Sequence, residues 1–503
     1  MNGRSCPQPL NAQDNTDHPL NQFMKFDYDL IILGSGPAGF SAAMQGSKFD
    51  KKVLMVEANE HHLGGSWINA GTVPSKALRE AAMNIHKFTR QFGDVNHKKA
   101  HEQFQMGELL ALKNRVVSHE NSEIKRNLVK NEITTLRGYG RILDPHTIEV
   151  IDPIESKRTY TAENILISTG STASHPDNFI IDHRTVLDIT TVLDMEHIPR
   201  RLVVVGSGVQ AIEYATIFAS MGTKVTMLNP ASDYLTFLDH EIRAVLDDSF
   251  SRFRINVFNN AKITKVGKND LRNCTEVHFT TKGEEKRVIE TEQVLYFGGR
   301  TPNTSKIGLE NLKIQTDAKG HIPVDEEYRT KVKSVYAAGD VVGYPELASA
   351  SFSQGRLAVC HMFDIPAAEM GQTMPFSIYS IPEMSSVGLT ENEATAEGYD
   401  VTVGRAYYGN LTKATISNST QGILKLVFET GTFRLLGVHI IGDQACEIVH
   451  IGQAVIALKG DVRYFISHMM NYPTYAEAYR IAAFNGVNRV YKAGVKYRSI
   501  LER

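Results

Sequence analysis

Apolar runs ending on glycine turns recur along the chain. Residues 29–39 read DLIILGSGPAG and residues 202–211 read LVVVGSGVQA. Each is a β-branched run, then a glycine turn, then a helical pattern, which predicts strand–turn–helix. Each copy reaches a second apolar run, 53–56 (VLMV) and 225–228 (VTML). Gly34 and Gly206, the first glycines, are 172 residues apart. The pattern predicts two βαβ units, the mark of a duplicated dinucleotide-binding frame. Further strands are predicted at VLYF (294–297), before the turn cluster GGRTPN, and at SVYAAGD (334–340). From about residue 375 the pattern changes: ILKLVF (423–428) and LLGVHII (435–441) predict an antiparallel sheet with flanking helices.

The expected fold class is α/β, with two Rossmann-like dinucleotide-binding domains and a C-terminal α+β domain. The 503 residues are long enough for about three domains. Residues 1–23 are polar and read as a disordered tail, drawn as 1–25. The first nucleotide-binding domain is expected at 26–190 and 300–372, the second at 191–299 and the C-terminal domain at 373–503.

Charge excludes one class of partner. Lys and Arg total 54, Asp and Glu 56, for a net charge of −2, so no basic face for nucleic acid is signalled. No apolar run approaches the ~20 residues that cross a bilayer, so no membrane partner is expected and the cytoplasm is the simplest compartment. Cys6, Cys274, Cys360 and Cys446 are far apart, which argues against a disulfide scaffold, a zinc knuckle or a dithiol of sequence neighbours. No metal site is expected. His61-His62 is an adjacent pair without a carboxylate at helical spacing, and His439, His450 and His468 read as core or rim residues. The stretch 98–103 (KKAHEQ) reads as a solvated face.

The turns carry the chemistry. Gly34 permits the tight turn, Gly36 lets backbone approach a pyrophosphate, and Gly39 allows close helix–strand packing. Glu57, 21 residues after Gly36, suits the hydroxyls of an adenosine ribose. In the second copy, Gly206 and Gly208 repeat the turn, Ala211 replaces the third glycine, and Asn229 stands where Glu57 stands. An amide there removes the repulsion a carboxylate gives a 2′-phosphate. Residues 230–237 hold no cation and do hold Asp233, so this copy permits NADP and points first to NAD. A turn role and a selectivity role for Asn229 stay equally open.

Residues 64–78, GGSWINAGTVPSKAL, resemble the segment of flavin-dependent pyridine nucleotide-disulfide oxidoreductases that carries a Cys-x4-Cys pair before PSKAL. The two cysteine positions align with Trp67 and Thr72. Within those enzymes the chain is similar to the si-specific pyridine nucleotide transhydrogenases, which carry threonine at the second position and cysteine at the first; Trp67 departs from both. TFLD (236–239), IYSIPEMSSVG (378–388), ACEIVHIGQA (445–454) and NYPTYAEAYRIAAFNGVNR (471–489) extend the resemblance over about residues 26–491. Where the disulfide reductases carry His-Pro-Thr-x-x-Glu, this chain has Tyr472-Pro473-Thr474 with Glu477 retained; Tyr472 reads as a packing residue at a dimer seam.

The resemblance implies FAD in the first domain, NAD(P) as exchanging substrate in the second, and a homodimer formed through the C-terminal domain. It implies that Lys76 and Glu213 pair beside flavin N5, where a cation stabilises negative charge. It makes Asp340 a ribityl contact, places Thr169-Gly170 at the strand end that closes the flavin domain, and sets Gly299 and Arg300 near the flavin boundary. Trp67 and Thr72 are implied to lie on the flavin face that a disulfide otherwise meets. The implied activity is hydride transfer between NAD(P)H and NAD(P)+ without a disulfide. Two alternatives stay open: an NAD(P)H oxidase or diaphorase, and a catalytically silent flavin-binding redox sensor. Dihydrolipoamide dehydrogenase-like turnover would require a dithiol the motif lacks.

Overall fold

The computed structural model describes residues 26–59, 63–91, 105–283, 285–371 and 373–492. Cys6, the expected tail, His61-His62 and the 98–103 stretch lie outside them.

The run Tyr28–Leu33 forms a strand whose last four residues are buried, as expected for a parallel strand covered on both faces. It pairs in parallel with Val53–Glu57 on one side and Lys157–Ile167 on the other. Val53–Glu57 in turn pairs in parallel with Thr134–Arg137. The long strand Lys157–Ile167 also takes Val335–Ala337 in parallel and an antiparallel meander of Thr147–Ile151 and Tyr139–Asp144. The SVYAAGD segment therefore returns to the first sheet from far along the chain.

The second sheet repeats the first at its centre. Arg201–Val205 lies between Lys224–Leu228 and Gln293–Tyr296, with Asn256–Phe258 and Val186–Leu187 outside them, all parallel. A small antiparallel sheet of Lys262–Asn269, Cys274–Thr280 and Lys286–Thr291 extends this part. The GGRTPN turn crosses back: Arg300–Pro302 pairs with Ser171–Ala173.

The C-terminal sheet is antiparallel, with Leu435–Ile441 between Met384–Gly388 and Ile423–Glu429, and Phe376–Ile378 and Val401–Tyr407 at its edges. The helices Ala445–Ala457 and Glu477–Lys492 bury Val449, Ala478 and Tyr479 against it. The architecture is two parallel α/β units and an α+β unit.

One apolar core joins all three. It contains Leu78 and Ala82 of the helix Thr72–Gln91, Ile212 and Tyr214 of the helix Val209–Ser220, and Ile378 and Ile381 of the C-terminal unit. This shared core sets the two central helices against each other and positions the site.

Candidate active site

Each glycine turn is shaped by contacts that only glycine satisfies. Gly34 has φ +104°, and a Cβ there would lie 2.4 Å from the Ser168 carbonyl oxygen. A Cβ on Gly39 would meet the Gly34 carbonyl oxygen at 2.0 Å. Gly36 is different. It caps the helix Pro37–Lys48, and a Cβ there would touch nothing within 4 Å. Its requirement for glycine is not imposed by the protein's own packing, so the space outside it fits a dinucleotide pyrophosphate held at a helix N-terminus. Glu57 faces this turn. Its Oε2 accepts from the Ser35 amide (2.9 Å) and hydroxyl (2.5 Å), and its Oε1 accepts from the Asn59 amide (2.8 Å).

The neighbouring strand end gathers the other residues expected around a flavin. Thr169 Oγ1 donates to the Asn303 carbonyl (2.8 Å), and the Asn303 amide donates to the Gly170 carbonyl (2.9 Å). Gly339 has φ +83° and starts the turn that carries Asp340. Ser171 Oγ donates to Asp340 Oδ2 (2.5 Å), and Arg300 Nε donates to the same Ser171 oxygen (2.7 Å). Arg300 thus reaches Asp340 both through a serine and by a direct ion pair at 3.7 Å, which gives it a structural partner the sequence did not specify. Gly299, at φ +101°, has open space around it. The cluster lies at the carboxyl ends of parallel strands, where α/β sheets bind ligands.

The second turn is a near copy. Gly206 has φ +117°, with a Cβ position 2.6 Å from the Phe297 carbonyl oxygen, and Gly208 is again open. Ser207 Oγ donates to Asn229 Oδ1 (2.6 Å), as Ser35 does to Glu57. Asn229 is fully buried. Its Oδ1 also accepts from the Ala231 amide (3.0 Å), while its Nδ2 donates to the Asp233 carbonyl (3.2 Å) and to Asn259 Oδ1 (2.8 Å). Those four bonds fill the capacity of a side-chain amide. Asn229 therefore acts in the turn in this conformation. The cation missing from residues 230–237 arrives from the next helix, where Arg243 pairs with Asp233. Sequence reasoning missed it because its window ended at 237.

The three units meet at one ion pair. Lys76 sits in the second turn of the helix that starts at Thr72. Its Nζ donates to Glu213 Oε2 (2.8 Å) and Oε1 (3.1 Å), across 137 residues. Glu213 is 3% exposed and Lys76 28%. Glu213 Oε1 also accepts from the Tyr379 amide (2.8 Å), and the Tyr379 ring lies 4.9 Å from Lys76 Nζ. Thr216, one helical turn on, accepts from the Ile381 amide (3.1 Å). Tyr379 had no role in the sequence reading.

Thr72 is exposed. Trp67 packs edge-on against Phe352 (ring centroids 4.9 Å apart) and obliquely against Phe40 (6.3 Å). Cys274, Cys360 and Cys446 are buried with free thiols, and none stands near 67 or 72 in sequence. Burial and the Glu383 carboxylate push the Cys446 thiol well above its ordinary range. Tyr472 is exposed, its hydroxyl bonded to Thr412. His439 is buried on the Leu389 carbonyl (2.9 Å), and burial lowers its pKa; His450 and His468 are exposed. Asp239, His240 and Glu391 lie close enough to share a cation, but Lys425 Nζ occupies that position, 2.8 Å from Asp239 and 2.6 Å from Glu391.

Two nucleotide turns around one ion pair define a two-dinucleotide α/β oxidoreductase frame. The chain belongs to the pyridine nucleotide-disulphide oxidoreductase family: its model matches residues 28–355, and the family's dimerisation-domain model matches residues 374–483. Among its relatives is the soluble pyridine nucleotide transhydrogenase of Pseudomonas aeruginosa (strain LESB58), 38% identical over 93% of this chain and 99% of that one. The protein of the same name from Marinomonas sp. (strain MWYL1) is 38% identical over 92% and 99%. Similar folds include the HOCl-induced flavoprotein disulfide reductase of Escherichia coli, with TM-score 0.82 at 24% identity over 91% of this chain and 99% of that one.

Proposed function

We propose that the protein is an FAD-dependent transhydrogenase that moves hydride between NAD(P)H and NAD(P)+ without a redox disulfide. Residues 26–190 with 300–372 hold FAD, residues 191–299 take the exchanging nicotinamide nucleotide, and residues 373–503 form a homodimer; residues 1–25 are a tail. The family's dimerisation-domain match supports the dimer. We place the protein in the cytoplasm, a setting that fits relatives whose printed name calls them soluble; among the described residues no helix is long and apolar enough to cross a membrane.

One observation carries the reading: the nucleotide turns and the Lys76–Glu213 pair are intact, while Trp67 and Thr72 stand at the redox-cysteine positions. Gly36, Gly39 and Glu57 hold the dinucleotide, and Thr169, Gly170, Gly299 and Asp340 line its flavin end. Bound there, a flavin supplies a two-electron store, filled by one nicotinamide and emptied by another. Glu213 holds the Lys76 ammonium in place, and the Tyr379 backbone holds Glu213. A cation fixed in this way needs no reorganisation when negative charge develops beside it. Trp67 is packed against Phe40 and Phe352, and neither it nor Thr72 brings a thiol.

The test is exchange between NADPH and thio-NAD+ by purified protein with bound FAD. Sustained exchange without added thiol is expected. No exchange sinks the proposal, and oxygen consumption at a comparable rate replaces it with an oxidase.

A further inference from the structure

The loop after the strand Lys224–Leu228 carries an ion pair that the chemistry above does not use. Asn229 occupies the position of Glu57, since each bonds the serine hydroxyl of its own glycine turn (2.6 and 2.5 Å). In the first unit that position presents a carboxylate. In the second the amide is saturated by its own loop, so a ribose must be read by neighbouring side chains. Asp233 is a charged residue of this loop, its backbone carbonyl bonded to Asn229 Nδ2 at 3.2 Å. Arg243, on the helix His240–Phe253, donates through Nη2 alone to both Asp233 carboxylate oxygens, at 2.5 and 2.6 Å. Arg243 Nε is buried without a partner. The Asp233 side chain is 44% exposed and that of Arg243 24%. The Tyr234 amide, and then Arg243, hold the Asp233 carboxyl below its ordinary range, so the pair is ionic at neutral pH.

We infer that Asp233–Arg243 is an exchangeable ion pair that lets the second nucleotide turn accept NADP(H) as well as NAD(H). The inference rests on reading residues 191–299 as the NAD(P) unit. With a ribose bearing a 2′-hydroxyl, the guanidinium stays on Asp233 and the carboxylate can accept from the hydroxyl. With a 2′-phosphate, the guanidinium passes to the phosphate and Asp233 turns to solvent. Three facts favour the exchange. An ion pair with both partners in contact with water is weakly held. A phosphate offers more charge and more acceptor oxygens than a carboxylate, in a geometry that suits a guanidinium. Asp233 already has water on one side, so its release buries no charge.

The test uses flavin-loaded protein and two probes that differ only at the 2′ position, 2′,5′-ADP and 5′-AMP, followed by isothermal titration calorimetry. The wild type is expected to bind both. Arg243→Gln removes a charged hydrogen bond and is expected to weaken 2′,5′-ADP by about tenfold or more while changing 5′-AMP by less than about twofold. Arg243→Lys retains part of the binding, and Asp233→Asn tightens 2′,5′-ADP by removing the competitor. Equal losses for both probes in Arg243→Gln, no change in either, or a wild type that does not bind 2′,5′-ADP would each overturn the inference. Flavin reduction is measured on the same samples. If neither NADH nor NADPH reduces the flavin while the probe pattern holds, the transhydrogenase reading fails and the ion pair stands. If exchange proceeds but 2′,5′-ADP ignores both variants, the ion pair fails and the reading stands.

Discussion

Replacing Glu213 tests whether one carboxylate couples the three units. Glu213 is 3% exposed, and it accepts two bonds from Lys76 and one from the Tyr379 amide. Glu213→Ala leaves the ammonium unpaired, the amide without its acceptor, and a cavity between helices. Removing one partner of a fully buried pair costs about 3–5 kcal/mol. Lys76 is 28% exposed and can turn to water, which puts its share below that range. An unsatisfied amide adds about 1–3 kcal/mol. The sum expected for Glu213→Ala is about 3–4 kcal/mol. Glu213→Gln keeps the shape and a carbonyl oxygen for Tyr379 but loses the charge, so about 1–2 kcal/mol is expected. Urea unfolding of the flavin-loaded protein, followed by flavin and tyrosine fluorescence at unchanged m-value, reads both. Equal values for the two variants, or a loss below about 1 kcal/mol for Glu213→Ala, would refute the junction as described.

Further outcomes follow from the geometry. Gly36→Ala is expected to lose bound FAD yet match the wild type in thermal stability when both are stripped of flavin, because its Cβ meets no protein atom; Gly39→Ala, with a 2.0 Å approach to Gly34, is expected to lower the stability of the flavin-free protein as well. Differential scanning calorimetry beside the flavin absorbance ratio separates the two, and equal stability loss would contradict the assignment. Lys425 is wholly buried among Asp239, Glu241 and Glu391, so Lys425→Met is expected to destabilise by about 3–5 kcal/mol in urea unfolding. Burial opposes ionisation of Glu241, but hydrogen bonds from Arg405 and Lys425 outweigh it and hold the carboxyl at about 2, against an ordinary 4.5. A depressed folded pKa gives stability that is present above pH 4.5 and lost as pH falls toward 2. Glu241→Gln should flatten that part of the acid unfolding curve, and an unchanged slope would count against the cluster.

Local signals made the two nucleotide turns legible. A turn that needs positive φ at Gly34 and Gly206 announces itself within a few residues, and Glu57 or Asn229 follows at the same spacing, at or just past the end of the next strand. The antiparallel C-terminal sheet was equally readable from its apolar runs. Contacts made across the chain were not. Lys76 and Glu213 are 137 residues apart, and only a family resemblance joined them. Arg243 lies beyond the next loop, on a helix whose start is marked by the capping Asp239, but its contact with residue 233 has no local signal. Lys425 did leave a trace, a charge within the apolar run ILKLVF, which is the mark of a buried and paired cation. Trp67 could be aligned from sequence, but its aromatic partners, Phe40 and Phe352, come from two other helices.

The central claim is that electrons wait on the flavin alone. Anaerobic titration with NADPH tests it most directly, by counting the reducing equivalents taken up before the flavin is fully bleached and then adding NAD+. One NADPH per flavin, which is two reducing equivalents, with full reoxidation by NAD+ and no thiol released to a thiol reagent, is the predicted result. Uptake of a second NADPH per flavin with a newly titratable pair of thiols, or a bleached flavin that NAD+ cannot reoxidise, would contradict it.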